Sequence, residues 1–184
     1  MSRESPGSIV HHWRHEGRVI TFTWVGDAYP APARVYALAL TPDGRLLLVR
    51  GAPDDPRFWL PGGSIEAGET PEAALARELW EEAGATIHRM ERLGAQRVDD
   101  PVVGREYHAF YWCRITLADD FVPAHEVRER RLVSPGAFLD LLFWGRSDPK
   151  AAMLLDRALA IERALATSAA DGLPPLYRAG IVVS

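Results

Sequence analysis

The sequence predicts an α+β domain, with a helix packed on a mixed sheet, and three observations carry that expectation. Apolar runs of strand length recur along the chain and are punctuated by Gly, Pro and Asp turns. Helix formers concentrate in three segments, each opened by a capping residue and a proline: Thr70-Pro71, Ser134-Pro135 and Asp148-Pro149. Strand runs stand on both sides of the first helical segment, a mixture that suits helices layered on one sheet.

In chain order, residues 1–7 read as a frayed terminus. From Ile9 to Val25, two β-rich runs flank Glu16-Gly17, which predicts a hairpin. Gly26 to Pro32 is a loop. Ala33–Leu40 and Arg45–Val49 are strand-like around Thr41-Pro42-Asp43-Gly44, whose Pro and Gly sit where a type I turn favours them. Gly51 to Arg57 is a polar loop, and Phe58-Trp59-Leu60 is a short apolar strand ending at Pro61. Residues 71–83 predict a helix with an apolar stripe of Ala74, Leu75, Leu79 and Ala83, and Gly84 is its stop. Strands resume at Glu91–Val98 and Glu106–Leu117, around a hairpin loop from Asp99 to Gly104. Val127–Val133 is a last strand. Two helices follow, one from Ser134-Pro135 through Phe143 and one from Asp148-Pro149 to about Ala166.

Composition narrows the function classes. A chain of 184 residues, 47% hydrophobic and 25% charged, is globular, and one domain is the default. It holds no apolar run of membrane-spanning length, and its N-terminus lacks the apolar stretch of a secretory signal. The one cysteine, Cys113, cannot close an internal disulfide, which fits a reducing cytoplasm. A net charge of -4 with scattered arginines gives no footprint for a nucleic acid polymer. An acidic protein that handles anionic substrates needs a local counter-charge, such as a metal ion.

The segment from Gly63 to Ala85, GSIEAGETPEAALARELWEEAGA, carries the chemistry. Glu78 and Glu82 are four apart and share one helix face, and Glu81 borders it. Like charges at this spacing repel by a few tenths of a kcal/mol per pair. A hard divalent cation with oxygen ligands is the natural counter-charge, and Mg²⁺ is the usual one beside phosphates. Acidic runs are more often plain solvated faces. Here Pro61-Gly62-Gly63 precedes the helix and permits close approach of a ligand, and a carbonyl of that loop could complete a metal site.

This segment resembles the Nudix box, the signature of the Nudix hydrolase family. All seven fixed residues are present: Gly63, Glu69, Arg77, Glu78, Glu81, Glu82 and Gly84. At ordinary residue abundances, a chance match in such a chain is roughly one in a million. Ala85 departs from the pattern, where the family prefers a larger aliphatic residue. The resemblance implies an α/β/α sandwich on a mixed sheet over 31–166, with an N-terminal hairpin extension at 1–30 and a tail at 167–184. It implies Glu78 and Glu82 as metal ligands, joined by the Gly62 carbonyl and often Glu81, for Mg²⁺ or Mn²⁺. Arg77, grouped with the catalytic residues, and Glu69 hold loop and helix in place.

The implied reaction is hydrolysis of a nucleoside diphosphate linked to a group X. Metal ions neutralise the phosphates and acidify bound water, and a carboxylate takes the proton. That base is Glu81 within the box or a glutamate of a later loop, where Glu126 is favoured over Glu129. Arg50 and Gly63 are the candidate substrate contacts. The run RLLLVRGAPDDPRFWLPGG resembles members acting on nucleoside triphosphates, including oxidised ones. Pro101 resembles a mark of ADP-ribose hydrolases, although Pro-Gly-Gly before the box argues against them. A non-catalytic nucleotide sensor is the reading from another class, and the complete box speaks against it. Isomerase chemistry on an isoprenoid diphosphate has no support, with Cys113 the lone cysteine.

Other features receive plainer readings. The N-terminal run serves a homodimer, helps build a pocket or extends the chain's own sheet. His11 and His12 alternate on a strand and do not form a metal site. Trp80 and Trp112 are expected in the core rather than against a base, Cys113 is expected buried, and Arg128, Arg130 and Arg131 are expected on a solvated strand edge.

Overall fold

The computed structural model describes residues 9–51, 56–122 and 127–170, of which 169 and 170 are described in backbone only. Its strands are β1 (Val10–His15), β2 (Arg18–Gly26), β3 (Arg34–Leu40), β4 (Leu46–Arg50), β5 (Gly62–Ser64), β6 (Ala85–Asp100), β7 (Gly104–Leu117) and β8 (Glu129–Val133). Its helices are α1 (Pro71–Ala83), α2 (Pro135–Leu141) and α3 (Pro149–Ala170). The described strands form one sheet in the order β1-β2-β6-β7-β3-β4-β8, with β5 paired to β3. The β3–β7 pair is parallel and its neighbours are antiparallel, so the sheet is mixed as the sequence predicts.

Side-chain alternation along β3 assigns the two faces. Val35, Ala37 and Ala39 pack with the buried stripe of α1, namely Ala74, Leu75, Leu79 and Ala83. Leu38 and Leu40 pack with Phe110, Trp112, Phe138 of α2 and Leu154 of α3 on the other side. Helices thus cover both faces, and the fold is the α+β sandwich. α1 starts where Thr70 caps it, its hydroxyl accepting from the Ala73 amide at 3.1 Å. It stops at Gly84, which turns left-handed at φ 59°, and a Cβ there would lie 2.6 Å from the Phe121 ring.

The N-terminal hairpin forms around Glu16 and Gly17, both at positive φ as a type I′ turn requires. β2 then pairs with β6, so the hairpin extends this chain's own sheet.

Several local expectations are corrected. Phe58-Trp59-Leu60 is not a strand: Phe58 and Trp59 make only isolated bridges, to Leu142 and Val49. The strand is Gly62–Ser64, whose glycines hide it from any reading by β propensity. β6 begins at Ala85 and not near Glu91, because register shifts at Ile87/Arg89 and Arg92/Gly94 break its alternation. α2 ends at Leu141, and α3 runs on to Ala170. Trp112 is buried and donates to Glu162 at 3.0 Å, whereas Trp80 is 55% exposed because it lies off the stripe that α1 turns to the sheet. Arg130 is not a solvated edge residue. It donates to the carbonyls of Ala83 and Ala118 at 2.5 and 2.7 Å and so closes the C-terminal end of α1. Residues 1–7, Glu126 and 171–184 of the expected tail lie outside the described residues. Among the described residues, no helix is long and apolar enough to cross a membrane.

Candidate functional site

Arg77 is the hub of the site. Its Nε and Nη2 donate to the two carboxylate oxygens of Glu69 at 2.9 and 3.1 Å, a bidentate pair. Its Nη1 donates to Glu78 at 3.0 Å and to Glu81 at 3.2 Å, and Nη2 also donates to the Ser64 carbonyl at 3.0 Å. One guanidinium therefore gathers three carboxylates of the box and ties α1 to β5. Glu69 in turn accepts from the Glu66 amide at 3.0 Å, which fixes the loop before the helix. The Arg77 hydrogen bonds hold the Glu69 carboxyl below its ordinary range, and the Arg77 guanidinium is held firmly charged.

The glycine pair brings the backbone against these carboxylates. Gly62 stands at φ 138°, and a Cβ there would fall 2.1 Å from the Val35 carbonyl. Its amide donates to Glu82 at 2.7 Å. At Gly63 a Cβ would lie 2.4 Å from Glu78 Oε1, so only glycine lets that carboxylate sit where it does. The Glu78 side chain is 16% exposed, and its burial pushes its carboxyl up against the opposing pull of Arg77. Glu81 is more open, at 42% exposed.

The structure thus brings together Gly62, Gly63, Arg77, Glu78, Glu81 and Glu82. Among the described residues, no cage of three or more His, Cys, Asp or Glu side chains is preformed. The donor set nonetheless fits a hard divalent cation. Mg²⁺ is usually bound by one or two carboxylates with water and substrate phosphate, and a buried carboxylate whose charge is disfavoured gains from such a partner. Arg50 stands elsewhere in the network. It is paired with Glu129 across β4 and β8, 5.5 Å from the Phe58 ring centre. Pro101 lies exposed in the turn between β6 and β7.

A cavity of about 450 Å³ opens on the α2 and α3 side of the sheet, next to this loop. Leu60, two residues before Gly62, and Tyr36, the strand partner of Gly62, both line it. The hairpin supplies His11, Trp13, Ile20 and Phe22 to its wall. Buried polar groups Gln96, His108, Asp148 and Lys150 also face it. Sequence reasoning missed Trp13, Trp59 and Trp144 as lining residues. The nearness of Trp59 to the glycine loop was the one available signal.

A family model of the NUDIX domain matches residues 30–154. The chain belongs to the Nudix family. It is 43% identical over 63 residues to a MutT-like protein of Streptomyces ambofaciens, a match covering 34% of this chain and 40% of that protein. To the 8-oxo-dGTP diphosphatase of Escherichia coli it is 36% identical over 89 residues, covering 38% of this chain and 69% of the other. To the ADP-ribose pyrophosphatase of Bacillus subtilis it is 30% identical over 101 residues, covering 53% and 51%. The chain spans well under half the length of the first curated relatives it matches. Among solved structures, a pyrophosphohydrolase of Bacillus subtilis superposes with a TM-score of 0.64 at 18% identity, covering 83% of this Nudix chain and 97% of the other. That likeness is one of fold.

Proposed function

We propose that this protein is a metal-dependent pyrophosphohydrolase of small nucleotides, with nucleoside triphosphates, including oxidised ones, as its first substrate class. The observation that carries the reading is the Arg77 cluster, with Glu78 and Glu82 pressed on the Gly62-Gly63 loop beside a cavity of nucleoside size. The E. coli 8-oxo-dGTP diphosphatase, 36% identical over the matched part, supports the substrate class.

Mg²⁺ or Mn²⁺ would be held by Glu78, Glu82 and the Gly62 carbonyl, with Glu81 beside them, and would neutralise the phosphates and acidify bound water. Glu81, the more open carboxylate, accepts the proton of the attacking water. Glu126 of the later loop is the other candidate base. Arg77 keeps the carboxylates in register, and Gly63, whose missing Cβ leaves its space to the Glu78 carboxylate, is the candidate backbone contact for a phosphate. Arg50 is the further candidate phosphate contact, on exchanging its Glu129 partner. Water attack breaks the P–O anhydride bond and releases a nucleotide and phosphorylated X.

ADP-ribose is the second substrate reading, favoured by Pro101 and by the matched Bacillus subtilis ADP-ribose pyrophosphatase. A cytoplasmic enzyme is the setting that fits nucleotide substrates and one buried free thiol. A homodimer would form by edge pairing at β1, the first strand of the sheet. The test is phosphate release from nucleoside triphosphates, oxidised triphosphates, ADP-ribose and nucleotide sugars, with a phosphatase added, in Mg²⁺ and in EDTA. Metal-dependent cleavage of one class is expected. Ligand-raised melting temperature without turnover on any member would replace the hydrolase with the sensor.

A further inference from the structure

Among the described residues, four buried side-chain polar atoms have no hydrogen-bond partner, and three of these are arginine Nε atoms. The fourth is Gln96 Oε1, on a side chain 4% exposed that lines the cavity. Its neighbours dictate which way the amide faces. The Glu106 carboxylate accepts from His108 Nε2 at 2.6 Å, so the imidazole proton resides on Nε2. The neutral ring then offers Nδ1 as an acceptor, and Gln96 Nε2 donates to it at 3.3 Å. Burial keeps His108 neutral and preserves the sense of this chain. The carbonyl end of Gln96 is left as an acceptor without a donor. A buried amide oxygen in that state favours any ligand that brings an N–H.

A second buried group faces the same cavity. The Lys150 ammonium donates to Asp148 at 2.6 Å, and the Lys150 amide donates to the other Asp148 oxygen at 2.9 Å. The ammonium also lies 4.4 Å from the Trp144 ring centre, 5.6 Å from that of Phe110 and 5.7 Å from that of Phe22. An ammonium has three N–H bonds, and among the described residues only one meets an oxygen. Ring faces hold the cation less well than a carbonyl does. The lining of this cavity therefore combines a starved acceptor, a cation with donors to spare and flat aromatic walls.

We propose that the cavity reads the edge of a planar heterocycle that carries a ring N–H beside a carbonyl, the lactam edge of an oxopurine or oxopyrimidine base. Gln96 Oε1 accepts from the N–H, and Lys150 donates to the carbonyl. An aminopurine such as adenine is disfavoured in the same pose, because its exocyclic amino group turns N–H towards the ammonium and its bare ring nitrogen turns a lone pair towards Gln96 Oε1. The inference deepens the nucleotide hydrolase reading and rests on it for the phosphate end of the ligand. Part of the reading surface lies outside the segment that the family model matches. His11, Trp13, Ile20 and Phe22 come from outside the segment that matches the NUDIX model, and Asp148 and Lys150 from its last residues.

The direct test is calorimetric binding of guanosine, N1-methylguanosine and adenosine to the full chain, followed by kcat/KM for GTP, N1-methyl-GTP, UTP and ATP with Mg²⁺. Guanosine is expected to bind at least about tenfold more tightly than N1-methylguanosine or adenosine, since methylation removes the one N–H that Gln96 accepts. Gln96→Met is expected to lower kcat/KM for GTP at least about tenfold more than for ATP, with circular dichroism reporting the fold. Equal binding of guanosine and its N1-methyl derivative overturns the proposal, whatever the hydrolysis shows. So does an equal loss on GTP and ATP in a folded Gln96→Met protein. Selective nucleoside binding without hydrolysis of any triphosphate would sustain the base reading and remove the hydrolase.

Discussion

The two faces of the sheet assemble their functional groups by different routes. On the α1 face, every gathered residue from Gly62 to Glu82 lies in one continuous stretch, and helix geometry with one arginine arranges them. On the α3 face, the cavity draws on β1, β2, β3, β6, β7 and the start of α3. The first arrangement is local and tolerates change elsewhere in the chain. The second depends on strand order, because β1-β2 must lie beside β6 before Trp13 and Phe22 reach the wall. In the proposed function, chemistry belongs to the local region and discrimination to the assembled one. Substitutions that alter rate and substitutions that alter selectivity should therefore separate by face.

The largest break in that comparison comes from Glu82→Gln. It removes a carboxylate from the face assigned to the metal, and kcat/KM should fall about 10³-fold, from the several kcal/mol such ions supply. The melting temperature should barely move. Gly63→Ala follows. Its new Cβ meets the flexible end of Glu78, so the fold survives while the carboxylate is displaced. A loss of roughly 10–100-fold in metal affinity is expected, measured by titrating Mg²⁺ or Mn²⁺.

Gly84→Ala tests the frame rather than the chemistry. The left-handed backbone costs an alanine about 1–2 kcal/mol, and the Phe121 ring blocks the added methyl. A fall in melting temperature of roughly 3–8 °C is expected.

The smallest effect belongs to the cavity face. Burial holds the His108 pKa below 6.5, so the unfolded chain takes up a proton before the folded one does. Stability from this residue is therefore complete above pH 6.5 and is lost as pH falls from there towards the folded pKa. The groups facing the ring are Glu106, Gln96, Arg34 and Lys150. Melting curves from pH 5 to 8 should show this slope in the wild type and less of it in His108→Gln.

How much of this was legible in the sequence follows the same division. Glu78, Glu81 and Glu82 could be read because their spacing on a helix is their geometry. Thr70 and Gly84 could be read because caps are local. That Arg77 holds loop and helix in place was legible only through family resemblance, and its donation to three glutamates was not legible at all, since one guanidinium reaching Glu69 and Ser64 requires β5 in place. Gln96 could not be read as a cavity residue, because two register shifts in β6 decide which way it points. Lys150 carries no signal in the sequence beyond its place after Pro149. Only the fold places it among Trp144, Phe110 and Phe22. Arg130 was misread because its acceptors, Ala83 and Ala118, lie in remote segments.

The most direct measurement is the rate of phosphate release from GTP by the wild type and by Glu82→Gln, each with Mg²⁺ and with EDTA. Turnover by the wild type that EDTA abolishes and Glu82→Gln nearly abolishes is the outcome required by a metal-dependent hydrolase at the Arg77 cluster. Turnover that persists in EDTA, or a Glu82→Gln protein as active as the wild type, would contradict it.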